Sequence, residues 1–342
     1  MKKIIIIGAG AMGSAFSVPC IENKNDVTLV GTYLENNLIE SIKSNKNIHP
    51  ILNTSLPSSL KIEKFEKLAG LLNGNIDVIV CGVSSIGIEW FVDQIAKNYK
   101  KNLPIVLLTK GLAIEREELI TLSDKIKKIL KEKGHKEVNV SAIKGPCLAA
   151  GLANKMRTGT VIANPNIKET ELLKKIISTD YYSTEISDDL TGIELSGAIK
   201  NIYSMLIGAS EGLSNSKATK EIQSKYYLNT SASLIHRSIS EMVEFVFHYG
   251  GKTETVYGLA GLGDLYVSAI GGRNSLMGKY LGEGYLYKEV KEKFMKNITV
   301  EGAQLALEIG PKILQDLNPK HFPLMFSMLN TICDNKKLEI DW

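Results

Sequence analysis

Lys200 stands where a lysine is costly. In "ELSGAIKNIYSMLIGASEGL", Glu194 to Leu213, the residues Ile199, Ile202, Tyr203, Leu206 and Ile207 form a helical apolar stripe, and most other positions are Gly, Ala or Ser. A helix whose opposite side is small rather than charged packs against neighbours on most sides, yet Lys200 and Asn201 lie at its centre. An ammonium in low dielectric is expensive and gives up its proton more readily. Either the side chain snorkels to the surface along its stem, or it is kept inside to move a proton. Asp264, in "GLAGLGDL", sits among glycines and leucines, where a lone carboxylate needs a cation; the plainer alternative is a helix cap. "GGRN", Gly271 to Asn274, joins flexible backbone to a guanidinium and an amide. That set takes a phosphate by bidentate and backbone hydrogen bonds, unless Arg273 is only half of a surface ion pair.

A second group of residues suits a dinucleotide. "GAGAMG" puts Gly8, Gly10 and Gly13 in G-x-G-x-x-G spacing after the apolar run Ile4 to Ile7 and before a helical pattern from Ala11 to about Cys20. Such a turn brings backbone close to a pyrophosphate and aims a helix N-terminus at it. The second strand of such a fold ends in an acid for the ribose 2′-hydroxyl or has an arginine nearby for a 2′-phosphate. Here it ends Gly31-Thr32-Tyr33 and the first acid is Glu35, so neither rule is met. Choice between NAD and NADP stays open, with NADPH expected to be accepted. "CGVSS" (Cys81 to Ser85), "LLTKGL" with Lys110, and "KGPCLAAG" (Lys144 to Gly151) all fall at the ends of apolar strand patterns, the side on which doubly wound sheets bind ligands.

These residues need a scaffold. Ile4 to Ile7, Val27 to Thr32, Asp77 to Val83, Pro104 to Gly111 and Val138 to Pro146 read as buried strands, mostly separated by helical patterns, with a short last strand at Tyr181 to Ile186. Near-continuous apolar strands alternating with helices predict a Rossmann-type doubly wound parallel sheet. From about residue 190 the strand signals vanish and helical patterns dominate, so the spacing predicts a dinucleotide-binding domain over 1–190 and an all-helical catalytic domain over 191–342. No repeat or low-complexity linker intervenes.

Composition narrows the class. The chain has 342 residues, a net charge of +4, 44% hydrophobic and 23% charged residues, which is ordinary for a two-domain globular protein and offers no nucleic-acid patch. "KIKKILKEKGHK", Lys125 to Lys136, reads as an amphipathic surface helix. Cys20, Cys81, Cys147 and Cys333 show no metal-ligand or disulfide spacing, which argues for a reducing compartment and no metal. The apolar run near the N-terminus is too short for a signal peptide and no segment reaches a membrane span. A cytoplasmic protein is expected.

"GAGAMG", "LLTKGL", "KGPCLA", "GIELSGAIKNIYSMLIGASEGL", "LNTSASLIHRSISEM", "YGLAGLGDLYVSAIGGRN" and "VEGAQLA" follow one another over roughly residues 4–310 in an order that resembles NAD(P)-dependent glycerol-3-phosphate dehydrogenase. The resemblance implies reversible reduction of dihydroxyacetone phosphate to glycerol 3-phosphate. It implies Lys200 as proton donor and acceptor, assisted by Lys110, Asn201 and Asp264. Substrate contacts would come from Lys110, Gly145, Cys147, Lys200, Asp264, Arg273 and Asn274, with the last two on the phosphate. Cofactor contacts would come from Gly8, Gly10, Ala11, Met12, Gly13, Lys110, Ala149, Arg273 and Glu301. A homodimer is also expected. A second lysine and desolvation would depress the pKa of Lys200, which Asp264 would partly restore. The family usually has Ser-Gly-Pro-Ser/Thr followed by a glutamate, where this chain has Lys144-Gly145-Pro146-Cys147 and then Ala150-Gly151; its Gly-x-Pro-Thr reads Met156-Arg157-Thr158, and about ten residues are added between Leu213 and Leu228. These departures leave room for a different phosphorylated or acidic 2-oxo substrate, and less readily for a dinucleotide-binding regulator without turnover.

Overall fold

The computed structural model describes residues 1–98, 103–214 and 219–340. Its strands are β1 (Lys3–Ile7), β2 (Asp26–Val30), β3 (Ile48–His49), β4 (Thr54–Ser55), β5 (Lys61–Glu63), β6 (Val78–Cys81), β7 (Ile105–Leu107), β8 (Leu112–Glu115), β9 (Glu118–Thr121), β10 (Val140–Lys144), β11 (Thr158–Ala163) and β12 (Tyr182–Ser187). Its helices begin with α1 (Ala11–Glu22), α2 (Asn36–Ser44), α3 (Leu68–Leu72), α4 (Ile88–Ala96), α5 (Leu122–Glu132), α6 (Ala149–Ala153), α7 (Ile167–Ile177) and α8 (Leu190–Gly208). They continue with α9 (Ser210–Leu213), α10 (Lys220–Tyr226), α11 (Leu228–His248), α12 (Asp264–Ile270), α13 (Arg273–Gly282), α14 (Tyr287–Lys293), α15 (Glu301–Asp316) and α16 (Pro323–Cys333).

The first unit, Met1–Lys110 with Thr121–Leu190, holds a sheet of order β12-β11-β10-β7-β6-β1-β2-β5. β1 pairs in parallel with β2 on one side and with β6 on the other, so the strand order reverses between β1 and β6. Ile4, Ile6, Val78, Val80 and Val106 are buried with Phe16, Ile176 and Ile177 from the covering helices, which explains why these strands read as unbroken apolar runs. The sheet is parallel except at β10–β11. There the chain turns back through Gly145 and the short α6.

The second unit comprises Thr191–Trp342 together with Gly111–Ile120. Its core gathers Ile199, Ile202, Tyr203 and Leu206 of α8 with Phe245, Leu265, Met277, Ile309 and Met328 from other helices. The hairpin β8–β9 is cut out of the N-terminal half of the sequence, which a single boundary near residue 190 does not anticipate. Leu112 is buried in the helical core, Leu119 packs on it, and β8 lies along α15. These leucines therefore find their apolar partners among helices rather than on the sheet. α8 itself is buried nearly end to end, as its stripe of large residues and small flanks predicts. α13 crosses it in backbone contact: a Cβ on Gly278 would stand 1.8 Å from the Met205 carbonyl oxygen. The added stretch before "LNTSASL" holds α10, and residues 215–218 lie outside the described ones.

Candidate active site

In the first unit the glycine turn joins β1 to α1. Gly8 has φ +109°, a left-handed conformation that glycine adopts without strain, and a Cβ on Gly13 would stand 2.1 Å from the Gly8 carbonyl oxygen. Gly10 differs. Its φ is −59° and a Cβ there would meet nothing nearer than a Glu35 carboxylate oxygen at 3.8 Å. The first and third glycines close the turn; the second leaves room for a ligand to approach the backbone. Ala11 and Met12 open α1 beside it and are half-buried. The residues present thus fit a dinucleotide pyrophosphate.

The turn is clamped on both sides of Ala9. Its N–H donates to Glu35 Oε2 at 3.0 Å, and its carbonyl accepts from Ser14 Oγ at 2.9 Å and contacts His49 Nε2 at 3.0 Å. His49 Nδ1 accepts from the N–H groups of Ile51 and Leu52, so the proton sits on Nε2. Glu35 Oε2 also accepts from Thr32 N at 2.7 Å. Sequence reasoning passed over Glu35 because it lies beyond the end of the second strand. The structure folds it back, putting an acceptor suited to ribose hydroxyls beside the glycines. The signal was its distance from the glycines, near the ~20 residues typical of such acids. Nearby in sequence, the rings of Tyr33 and Phe65 gather on Trp90 at 5.6 and 5.7 Å, a surface on which an adenine can pack.

At the other strand ends, burial pushes the Cys81 thiol up to about 12, which keeps it neutral and inert as a nucleophile. Lys110 is half-buried three residues beyond β7, and Gly111 follows it at φ +152°. Lys144, read from the sequence only as part of a Gly-Pro turn, is 2% exposed at the end of β10. Its ammonium donates to the carbonyls of Thr109 at 2.7 Å and Leu107 at 3.3 Å. Gly145 makes the following turn at φ +148°, Cys147 is half-buried, and Ala149 opens α6.

In the second unit, α8 and α12 bring together Lys200 and Asp264. Lys200 is 3% exposed and its Nζ donates to Asp264 Oδ1 at 2.9 Å. It does not snorkel. Asp264 is the first residue of α12 but spends its carboxylate on this ammonium rather than on a cap. Ser268 Oγ, one turn further along α12, also accepts from Lys200. Sequence reasoning missed Ser268, although its i+4 spacing from Asp264 puts both on one helical face.

Asn201, Asn274 and Glu301 form the adjoining network. Asn274 Nδ2 donates to Asn201 Oδ1 at 2.9 Å, while Asn274 Oδ1 accepts from Gly302 N at 2.9 Å. Asn274 thus turns its amide inward and ties α13 to α8 and α15. Glu301, which opens α15, accepts from Asn201 Nδ2 and from Arg273 Nη2, both at 3.4 Å. Arg273 and Glu301 make a half-exposed pair, the plainer alternative noted for Arg273, and such a pair is weak enough to open for an incoming anion. Gly272, at φ +124°, and Gly271 leave the start of α13 uncrowded. Among the described residues no group of three or more His, Cys, Asp or Glu is set to hold a metal ion, and no helix is long and apolar enough to cross a membrane.

The family model of the NAD-dependent glycerol-3-phosphate dehydrogenase N-terminus matches residues 3–170, and that of the C-terminus matches residues 189–340. The chain is 32% identical over 341 residues to an NADP(+)-dependent glycerol-3-phosphate dehydrogenase of Archaeoglobus fulgidus, covering 98% of this chain and 96% of that one. It is 32% identical over 337 residues to a glycerol-3-phosphate dehydrogenase [NAD(P)+] of Mesoplasma florum, covering 96% and 93%. The crystal structure of glycerol-3-phosphate dehydrogenase from Coxiella burnetii superposes with a TM-score of 0.81 at 26% identity, covering 98% and 96%.

Proposed function

Because the chain belongs to the NAD-dependent glycerol-3-phosphate dehydrogenase family, and so is an NAD(P)-dependent oxidoreductase, we propose that it reduces dihydroxyacetone phosphate to glycerol 3-phosphate with Lys200 as the acid. The observation that carries this reading is the buried Lys200 ammonium held by Asp264 and Ser268. When bound, the reduced nicotinamide supplies a hydride to C2 of the ketone. The oxygen on that carbon gains negative charge and needs a proton, which a buried, oriented ammonium delivers. Asp264 and Ser268 hold the ammonium of Lys200 in a fixed place and direction. Lys110 adds a second cation to the reading, as the resemblance implies, for charge developing on the substrate. Arg273 receives the phosphate when its pair with Glu301 opens, aided by backbone N–H groups at the start of α13. Binding energy from the phosphate then orients the reacting carbon. Gly8, Gly10, Ala11, Met12 and Gly13 hold the pyrophosphate, and Glu35 accepts from the ribose.

A second reading, reduction of a different phosphorylated or acidic 2-oxo compound, is supported by the half-buried Cys147, which stands where the family pattern has Ser or Thr. One assay addresses both. Oxidation of NADH and of NADPH is followed with dihydroxyacetone phosphate and a panel of phosphorylated and acidic 2-oxo compounds; the proposal expects dihydroxyacetone phosphate to give the highest kcat/KM. A tenfold or larger advantage for another member, about 1.4 kcal/mol of transition-state binding, would reassign the substrate.

A further inference from the structure

A buried ammonium is expensive, and Lys144 is buried inside the first unit at the end of β10. Its Nζ lies 2.7 Å from the carbonyl oxygen of Thr109 and 3.3 Å from that of Leu107. β7 pairs with β10 only as far as Leu107 opposite Ala142, so both acceptors lie where the chain leaves the sheet. The Thr109 carbonyl and the Lys110 N–H belong to one planar peptide unit. Fixing that carbonyl therefore fixes the direction in which the backbone enters Lys110. Thr109 is held a second time, by its hydroxyl donating to the Val83 carbonyl at 2.6 Å. The base of Lys144 is anchored as well, since its own carbonyl accepts from Thr160 Oγ1 at 2.7 Å. Beyond Lys110 comes Gly111, at φ +152°, the first residue of the second unit. Lys110 is thus placed between a residue clamped from two sides and a glycine that restrains little.

We propose that Lys144 is a positioning residue, whose ammonium orients the Thr109–Lys110 peptide plane and through it aims the Lys110 side chain for the reaction. The role rests on the reading above in which Lys110 assists turnover. The Nζ bond to the Thr109 carbonyl is the link through which Lys144 acts on Lys110.

A double-mutant cycle tests this on the full-length protein. Lys144→Met keeps the length and apolar stem but removes the charge and the donors. It is expected to lower kcat by about ten- to a hundredfold, the loss typical of a small misplacement of a reacting group. The dissociation constant for NADH should stay within about threefold, because the glycine turn lies at other strands of the sheet. In a Lys110→Ala background, Lys144→Met should cost less than about twofold more, since residues acting as a unit are not additive. Lys144→Gln, which keeps a neutral donor, should recover part of the loss; it also carries the cycle should the methionine variant not fold. Losses that multiply in the double variant would overturn the positioning role, as would turnover near wild type in Lys144→Met. If Lys110→Ala alone leaves turnover unchanged, the assisting role of Lys110 falls, and the proposal falls with it.

Discussion

At the scale of single residues, two side chains carry opposite kinds of expectation. Lys200 is enclosed, with Asp264 and Ser268 as partners, so its removal should be felt in chemistry. Lys200→Ala is expected to lower kcat by roughly 10²- to 10⁴-fold with NADH binding nearly intact, measured by steady-state kinetics beside fluorescence titration. Turnover within about threefold of wild type would remove Lys200 from the mechanism. Arg273 is half-exposed and paired only weakly with Glu301, so it contributes little to the fold. Arg273→Lys keeps the charge and loses the fork. It should raise KM for dihydroxyacetone phosphate at least about tenfold while leaving unphosphorylated dihydroxyacetone, a poor substrate throughout, almost unaffected. Equal damage to both substrates would give Arg273 to the cofactor or the fold instead. The buried pairing of Lys200 with Asp264 was legible in the sequence because a charge in a small or apolar run is conspicuous. Ser268, Glu35 and Lys144 were not, because a serine, a loop acid and a strand-end lysine look ordinary until the chain folds them onto a partner.

At the scale of elements, the glycine turn separates stability from binding. Gly13 abuts the Gly8 carbonyl, so even Gly13→Ala forces β1 and α1 apart and should lower the melting temperature. Gly10 has open space and an ordinary φ. Gly10→Val should therefore fold with nearly unchanged stability yet weaken NADH and NADPH together; unchanged dissociation constants for both would show that the dinucleotide binds elsewhere. A second element-level device is Glu241 of α11. It accepts from the N–H groups of Leu324 and Met325 at the start of α16 and from the Tyr203 hydroxyl of α8, so one carboxylate ties three helices. Burial pushes its carboxyl up to about 7, above the ordinary 4.5. The folded protein then binds this proton more tightly than the unfolded chain. Its contribution is full below the unfolded value and is lost as pH rises through 7, up to about 3 kcal/mol as an upper limit. Thermal unfolding should show a melting temperature falling between about pH 5 and pH 8, and Glu241→Gln should flatten that slope. The sheet's central strands were readable as apolar runs. β5 and β11 escaped because one is a three-residue charged edge, "KIE", and the other carries a glycine among threonines, both weak strand signals.

For the whole molecule, the informative feature is that the second unit is not one continuous piece. Gly111–Ile120 belongs to it, and Leu112 lies in its core at 2% exposure. The change of pattern near residue 190 is visible in the sequence, but nothing local marks ten residues in the first half as part of a helical core; only the distant α15 gives them that place. A fragment beginning at Thr191 should consequently keep helical circular dichroism yet bind a hydrophobic dye and unfold without a sharp transition. Joining residues 111–120 to its front by a flexible linker should restore cooperative melting. A sharp transition in the bare fragment would show that the hairpin is dispensable.

The same hairpin sets a schedule for the newborn chain. β8–β9 leaves the ribosome roughly 180 residues before α15 begins, an interval of roughly 10–40 s at ordinary synthesis rates of about 5–20 residues per second. An isolated two-stranded hairpin is marginal in water, so Leu112 and Leu119 spend that interval without their helical partners. The strands of the first unit are all synthesised by Ser187, well before then. The sheet therefore closes first around a protruding loop, and the last act of assembly is the capture of that loop by helices made at the far end of the chain.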